Sequence, residues 1–114
     1  MKEKRITILG SEWTIKEQSE NENEKLKDCD GYTDWTVREI VVEREMCGNL
    51  SDIEKHFRKV LRHEIVHAFL IESGLCECAG EVESWALSET MVDWIARQGL
   101  KIYKAWEEAG ALDG

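Results

Sequence analysis

The stretch from Ser51 to Gly74 constrains this chain more than any other. Ser51-Asp-Ile-Glu54 has the form of a capping box, a hydroxyl accepting from the first helical turn and a glutamate reaching back, and Gly74 is a natural C-terminal stop. Between them Ile53, Phe57, Val60, Leu70 and Ile71 share one side, with Lys55, Lys59 and Arg62 assigned to the other. The sequence therefore predicts a helix from about Asp52 to Ser73. On its inward face lies His63-Glu64-Ile65-Val66-His67, which uses two of the three histidines in the chain. Positions four apart on a helix differ by about 40° in azimuth, so the two imidazoles project together and can share a metal ion, with Glu64 beside them and not a ligand. His56 is near the same azimuth but about 10 Å along the axis from His63, which makes it a partly buried surface residue rather than a ligand.

A zinc ion in a catalytic site usually keeps three protein ligands and one open position. The acids downstream of the motif are Glu72, Glu77, Glu81, Glu83, Glu89 and Asp93. A second helix is expected from about Glu81 to Gln98, broken by Gly99, with Leu100 to Ala109 forming a further short helix. His67 lies about 10 Å of helix before Gly74 and Glu89 about 12 Å past Glu81, so an antiparallel hairpin brings Glu89 level with His67. Glu89 also falls in an expected buried stripe of Val82, Trp85, Val92 and Ala96, whereas Glu83 lies some 120° away. Asp93, one turn further on the same stripe, needs a partner if buried and suits the second ring nitrogen of His63. The same residues also suit a core histidine pair bonded to Glu89.

The remaining sequence supplies a sheet. Ile6 and Ile8, then Trp13 and Ile15, alternate around a turn at Gly10-Ser11, giving one strand with a turn or two short strands. Residues 16–30 are nearly all polar and read as a mobile loop unlikely to carry chemistry. Asp30-Gly31 suggests a turn, followed by a strand or hairpin built on Trp35, Val37, Ile40, Val41 and Val42. The five tryptophans are expected to pack rather than to clamp substrate. Cys76-Glu-Cys78 lacks zinc-ribbon spacing and has no second pair, so Cys29, Cys47, Cys76 and Cys78 read as reduced loop or core residues.

At 114 residues the chain has the size of one domain. Fifteen Lys and Arg against 24 Asp and Glu give a formal charge of −9, which repels phosphate backbones and anionic lipid and argues against nucleic-acid binding. No apolar run approaches the roughly 18 residues of a membrane span, and the start, Met1-Lys-Glu-Lys-Arg5, is charged. No membrane association and a cytoplasmic location are expected.

His63-Glu-Ile-Val-His67 followed by Glu89-Thr-Met-Val-Asp93 resembles the gluzincins, the thermolysin-like clan of zinc metallopeptidases. Over about residues 30–110 the chain resembles more closely the compact metallopeptidases encoded by phages and mobile elements. The resemblance implies an α+β, zincin-like fold in which a small, mostly antiparallel sheet packs on two long helices. It implies zinc held by His63, His67 and Glu89, Glu64 as general base and Asp93 behind the ligands. The substrate it implies is a peptide or protein lying extended along a sheet edge. Such families stabilise the oxyanion with a tyrosine or histidine, and Tyr32, Tyr103 and His56 are the residues of those types. The rival readings are a zincin-shaped module that holds zinc for structure or binds a partner protein, and a zinc hydrolase with a non-peptide substrate.

Overall fold

A computed structural model describes residues 3–45, 51–75, 88–109 and 112. Strands β1 (Glu3–Ile8) and β2 (Ser11–Gln18) are followed by a short 3-10 turn (Glu24–Lys27). Strands β3 (Gly31–Asp34) and β4 (Glu39–Glu43), then helices α1 (Ile53–Glu72) and α2 (Glu89–Glu108), complete the order. The chain is thus α+β, with a four-stranded mixed sheet of order β1-β2-β4-β3. The β1–β2 and β3–β4 pairs are antiparallel, while β2 and β4 run parallel. Because β4 enters between β2 and β3, β3 is an edge strand among the described residues.

Two short strands, rather than one, occupy the N-terminal stretch. Their turn is Leu9-Gly10, with φ of 48° and 86°, one residue earlier than expected. Positive φ at both central residues is the turn geometry that matches the twist of a two-residue hairpin. The polar stretch also departs from a mobile loop. Strand β2 continues to Gln18, and Leu26 within the 3-10 turn is buried. Trp35 and Val37, expected in a strand, instead lie in the β3–β4 turn and are 62% and 58% exposed. Local polar bonding decides this: the Asp34 carboxylate accepts from the Thr36 backbone N–H and hydroxyl, and Arg38 adopts φ of 51°.

Alternating residues place Ile8, Trp13, Ile15, Ile40 and Val42 in one core with Val60 and Ala68 of α1, bordered by Phe57, Leu61 and Ile65. Helix α1 carries the contact with the sheet, and α2 packs against α1 through its buried Val92 and Ala96. Among the described residues the order of layers is therefore sheet, α1 and α2. Asp52, not Ser51, caps α1, its carboxylate accepting from the Lys55 N–H at 2.9 Å. The C-terminal end of α1 is tied to the sheet by Glu72, which accepts from the Trp13 indole at 2.9 Å and the Ser11 hydroxyl and pairs with Arg38.

Gly31 does not make the expected turn; it opens β3, where the helix comes close. A Cβ there would meet the Val41 carbonyl oxygen and Val60 Cγ1 at 3.0 Å each and Glu64 Cγ at 3.5 Å. Gly31→Ala is expected to lower stability by about 1–3 kcal/mol through overpacking, read as a lower urea midpoint with unchanged slope. Retention of the wild-type midpoint would show that the helix has room to move.

Helix α2 starts at Glu89, with the Ser88 hydroxyl accepting from the Met91 N–H and the Ser88 carbonyl from Val92. The expected start near Glu81 and the Val82 and Trp85 positions of the stripe lie outside the described residues. Gly99 does not break the helix, which runs unbroken to Glu108. A single helical glycine costs only about 1 kcal/mol relative to alanine, which the rest of a 20-residue helix absorbs. Trp13 packs in the core as expected, whereas Trp94 is 56% exposed on the outer side of α2. The side chains of Trp85 and Trp106, and the residues Cys47, Cys76 and Cys78, lie outside the described residues. Among the described residues, no helix is long and apolar enough to cross a membrane.

Candidate metal centre

One turn apart on α1, His63 and His67 hold their ring centroids 4.9 Å from each other, inclined at 68°. Glu89 reaches both, with Oε2 2.9 Å from His63 Nε2 and Oε1 2.8 Å from His67 Nε2. One potential ligand atom from each of the three residues lies within 4.8 Å of the others. The donor set is two imidazole nitrogens and one carboxylate oxygen, the combination that suits a zinc ion with a position left open.

Glu89 differs from the expectation in one respect. It is not in a buried stripe: its side chain is 71% exposed, against 15% and 18% for His63 and His67. Being the first residue of α2, it stands at the helix entrance, where a carboxylate is favoured by the unpaired N–H groups. The cluster therefore sits at an open mouth rather than in the core. Beside it lies a cleft of about 280 Å³, with Gly31, Tyr32 and Thr33 of the β3 edge on one side and Glu64, His67 and Glu89 on the other.

Glu64, next to the first histidine, turns toward the sheet and is only 7% exposed. The Thr33 hydroxyl lies 2.9 Å from Glu64 Oε1 and 3.0 Å from the Glu64 backbone carbonyl oxygen, which fixes the carboxylate at the cleft floor. Burial pushes the Glu64 carboxyl up from its ordinary range, opposed by the Thr33 hydroxyl and the two imidazoles. Thr33 has no signature in the sequence, since a threonine in a short strand is ordinary; only its alignment with α1 gives it this place.

Asp93 closes the back of the site. Its Oδ1 is 3.3 Å from His63 Nδ1 and 2.8 Å from Lys59 Nζ, and its Oδ2 accepts from Arg97 Nε at 2.7 Å. Lys59 and Arg97, with His63 after them, hold the Asp93 carboxyl well below the usual carboxylate range. The carboxylate is thus ionised and able to take a proton-bearing Nδ1 from His63, leaving Nε2 to face Glu89. The assignment of Lys55, Lys59 and Arg62 to the opposite side of α1 is corrected here: Lys55 lines a hollow with Lys59 and with Arg97 of α2. Lys59 precedes His63 by one turn and shares its face, and Arg62 donates to the Ala96 carbonyl of α2 at 2.9 Å.

Of the other acids, Glu72 is occupied with Trp13, Ser11 and Arg38 and is not a ligand here. Glu77, Glu81 and Glu83 lie outside the described residues. Of the three oxyanion candidates, Tyr32 lines the cleft with the cluster. Asn23 Nδ2 donates to its hydroxyl oxygen at 2.7 Å, so the phenol proton is not used in that bond, and Lys25 lies over the ring at 5.3 Å. Through Asn23 and Lys25 the polar stretch buttresses the cleft wall at Tyr32. Tyr103 is half exposed on α2 away from this cleft, and His56 pairs with Asp30 at 3.0 Å in a neighbouring hollow. Comparison of the chain with family models, with curated proteins and with solved structures returns no match.

Proposed function

We propose that this chain is a zincin-like, zinc-dependent peptidase of the cytoplasm. The observation that carries the reading is the convergence of His63, His67 and Glu89 at an open cleft, with a buried carboxylate, Glu64, beside them. A histidine pair serving only the core would be enclosed, whereas the carboxylate joining this pair is mostly exposed. His63, His67 and Glu89 would hold the zinc ion. When bound, zinc supplies Lewis acidity that acidifies a water and polarises a scissile carbonyl.

The protein's own groups account for the rest. Glu64 accepts a proton from the attacking water and delivers it to the departing amine, a role that its place in the cleft beside His67 and Glu89 allows. Thr33 holds Glu64 in place, and Asp93 orients His63. Among the described residues β3 pairs with β4 on one side only, and an extended peptide adds to its other edge as a further strand across the cleft. Tyr32, with its hydroxyl proton available, is the candidate donor to the developing oxyanion.

Elemental analysis of the purified protein combined with cleavage of a peptide library tests the reading. About one zinc per chain and chelator-sensitive cleavage are expected, and a metal-free protein prepared without chelators would sink it. Asp93→Asn is expected to weaken zinc binding or turnover by roughly 10–100-fold, because the amide neither draws Nδ1–H as strongly nor keeps its two cations. Competition against a chromophoric chelator measures the affinity directly, and an unchanged value would remove Asp93 from the site.

A further inference from the structure

The direction of β3 relative to α1 gives the cleft a polarity. Asp30 lies beside His56 at 3.0 Å, Gly31 against Val60, and Thr33 against Glu64, so strand and helix run the same way. Antiparallel pairing is the more stable choice for a peptide added at an edge. Such a peptide begins near Thr33 and His67 and ends near Asp30 and His56. Residues after the bond to be cut therefore extend toward the N-terminal end of α1.

Two hollows continue the cleft in that direction. The first, of about 160 Å³, is lined by Asp30, Gly31, His56, Lys59, His63 and Glu64; the second, of about 240 Å³, shares His56 and Lys59 and adds Lys55, Arg97 and Asp52. In a chain of net charge −9 this end gathers three permanent cations around one path. Each acid there has a partner of its own: Asp93 has Lys59 and Arg97, Asp52 the Lys55 N–H at the α1 cap, Asp30 has His56, and Glu64 the Thr33 hydroxyl. The cations keep donors in reserve. Arg97 meets Asp93 through Nε, which leaves its two terminal NH₂ groups outside that pair, and the Lys59 ammonium has three N–H donors.

We infer that Lys55, Lys59 and Arg97 form a carboxylate-recognising subsite that takes an acidic group on the C-terminal side of the scissile bond. The inference rests on the peptidase reading for its register. Lys59 lies one helical turn before His63, about 6 Å, and Lys55 two turns before, about 12 Å. At about 3.4 Å per extended residue these distances correspond to roughly the second to fourth residue after the bond. The carboxylate is either an Asp or Glu side chain at that place or the terminal carboxylate of a peptide ending there.

Two peptide series separate those sources. One is amidated, with a single glutamate or glutamine moved through an alanine–leucine decapeptide; the other carries no acidic side chain and ends in either a free or an amidated terminus. With the zinc-loaded protein, glutamate two to four residues past the cut, or a free terminus there, is expected to raise kcat/KM roughly tenfold over its neutral counterpart, the scale of one hydrogen bond to a charged group. Lys55→Glu is expected to erase that preference and to favour lysine at the same place. Fluorescence anisotropy with the Glu64→Gln protein measures binding of the same labelled peptides without cleavage. Cleavage with equal rates for acidic and neutral peptides, unaffected by Lys55→Glu, overturns the subsite and leaves the peptidase reading intact. If no peptide is cut, the peptidase reading fails, and anisotropy alone decides: tighter binding of acidic peptides that Lys55→Glu abolishes supports the subsite, and equal binding overturns it.

Discussion

Replacing Glu64 by glutamine is expected to lower peptide cleavage by about 10²–10⁴-fold while zinc stays bound, the range that general-base terms supply. The substitution is clean for structural reasons. Glu64 is 7% exposed and anchored by the Thr33 hydroxyl, and a glutamine of the same size retains a carbonyl oxygen to accept that bond. Melting temperature and zinc content should stay near wild type, so lost turnover would report on the proton transfer and not on folding. Equal, chelator-sensitive activity in both proteins would refute the role of Glu64 as base. If both proteins hold zinc tightly and neither cuts any peptide or protein offered, the reading as a non-catalytic zinc module gains.

Thr33→Val extends the same reasoning, since it removes the hydroxyl that fixes Glu64 while preserving the β-branched shape that suits β3. Its effect should be smaller than that of Glu64→Gln and confined to turnover, because Thr33 touches none of the three ligand residues through a hydrogen bond. A wild-type turnover number in Thr33→Val would mean that burial alone positions the carboxylate.

The parts of this protein that were legible in its sequence are those governed by periodicity. The four-residue spacing of His63 and His67 determines that both rings share a face of α1, and the interval to Glu89 and then Asp93 repeats the helical turn on α2. What periodicity does not reveal is how side chains bond locally. Asp34 draws Thr36 and the residues after it into a turn and leaves Trp35 in solvent, although its composition favours a strand. Ser88 caps α2 so that Glu89 begins the helix, and a residue expected in a buried stripe becomes an exposed one at the mouth of the cleft. Thr33, Asn23 and Lys25 are distant from α1 in sequence and reach the site through the β3 edge, a long-range pairing that no local pattern encodes.

Removing the ligands is expected to have the largest effect on the metal. His63→Ala, His67→Ala and Glu89→Ala should each weaken zinc by more than about 100-fold, beyond the 10–100-fold typical of groups that act behind a ligand. Glu89→Ala is the most informative of the three. Its side chain is 71% exposed, so the fold should survive and the loss should appear mainly in metal affinity. The histidine side chains are only 15% and 18% exposed, and their removal should also lower stability, an effect that urea titration of the metal-free proteins separates from the binding term. Full zinc retention in Glu89→Ala would transfer the third position to another acid, with Glu81 next in line. A wild type that never takes up zinc, together with a Glu89→Ala protein that unfolds more easily, would instead make the two imidazole–carboxylate bonds a structural tie between α1 and α2.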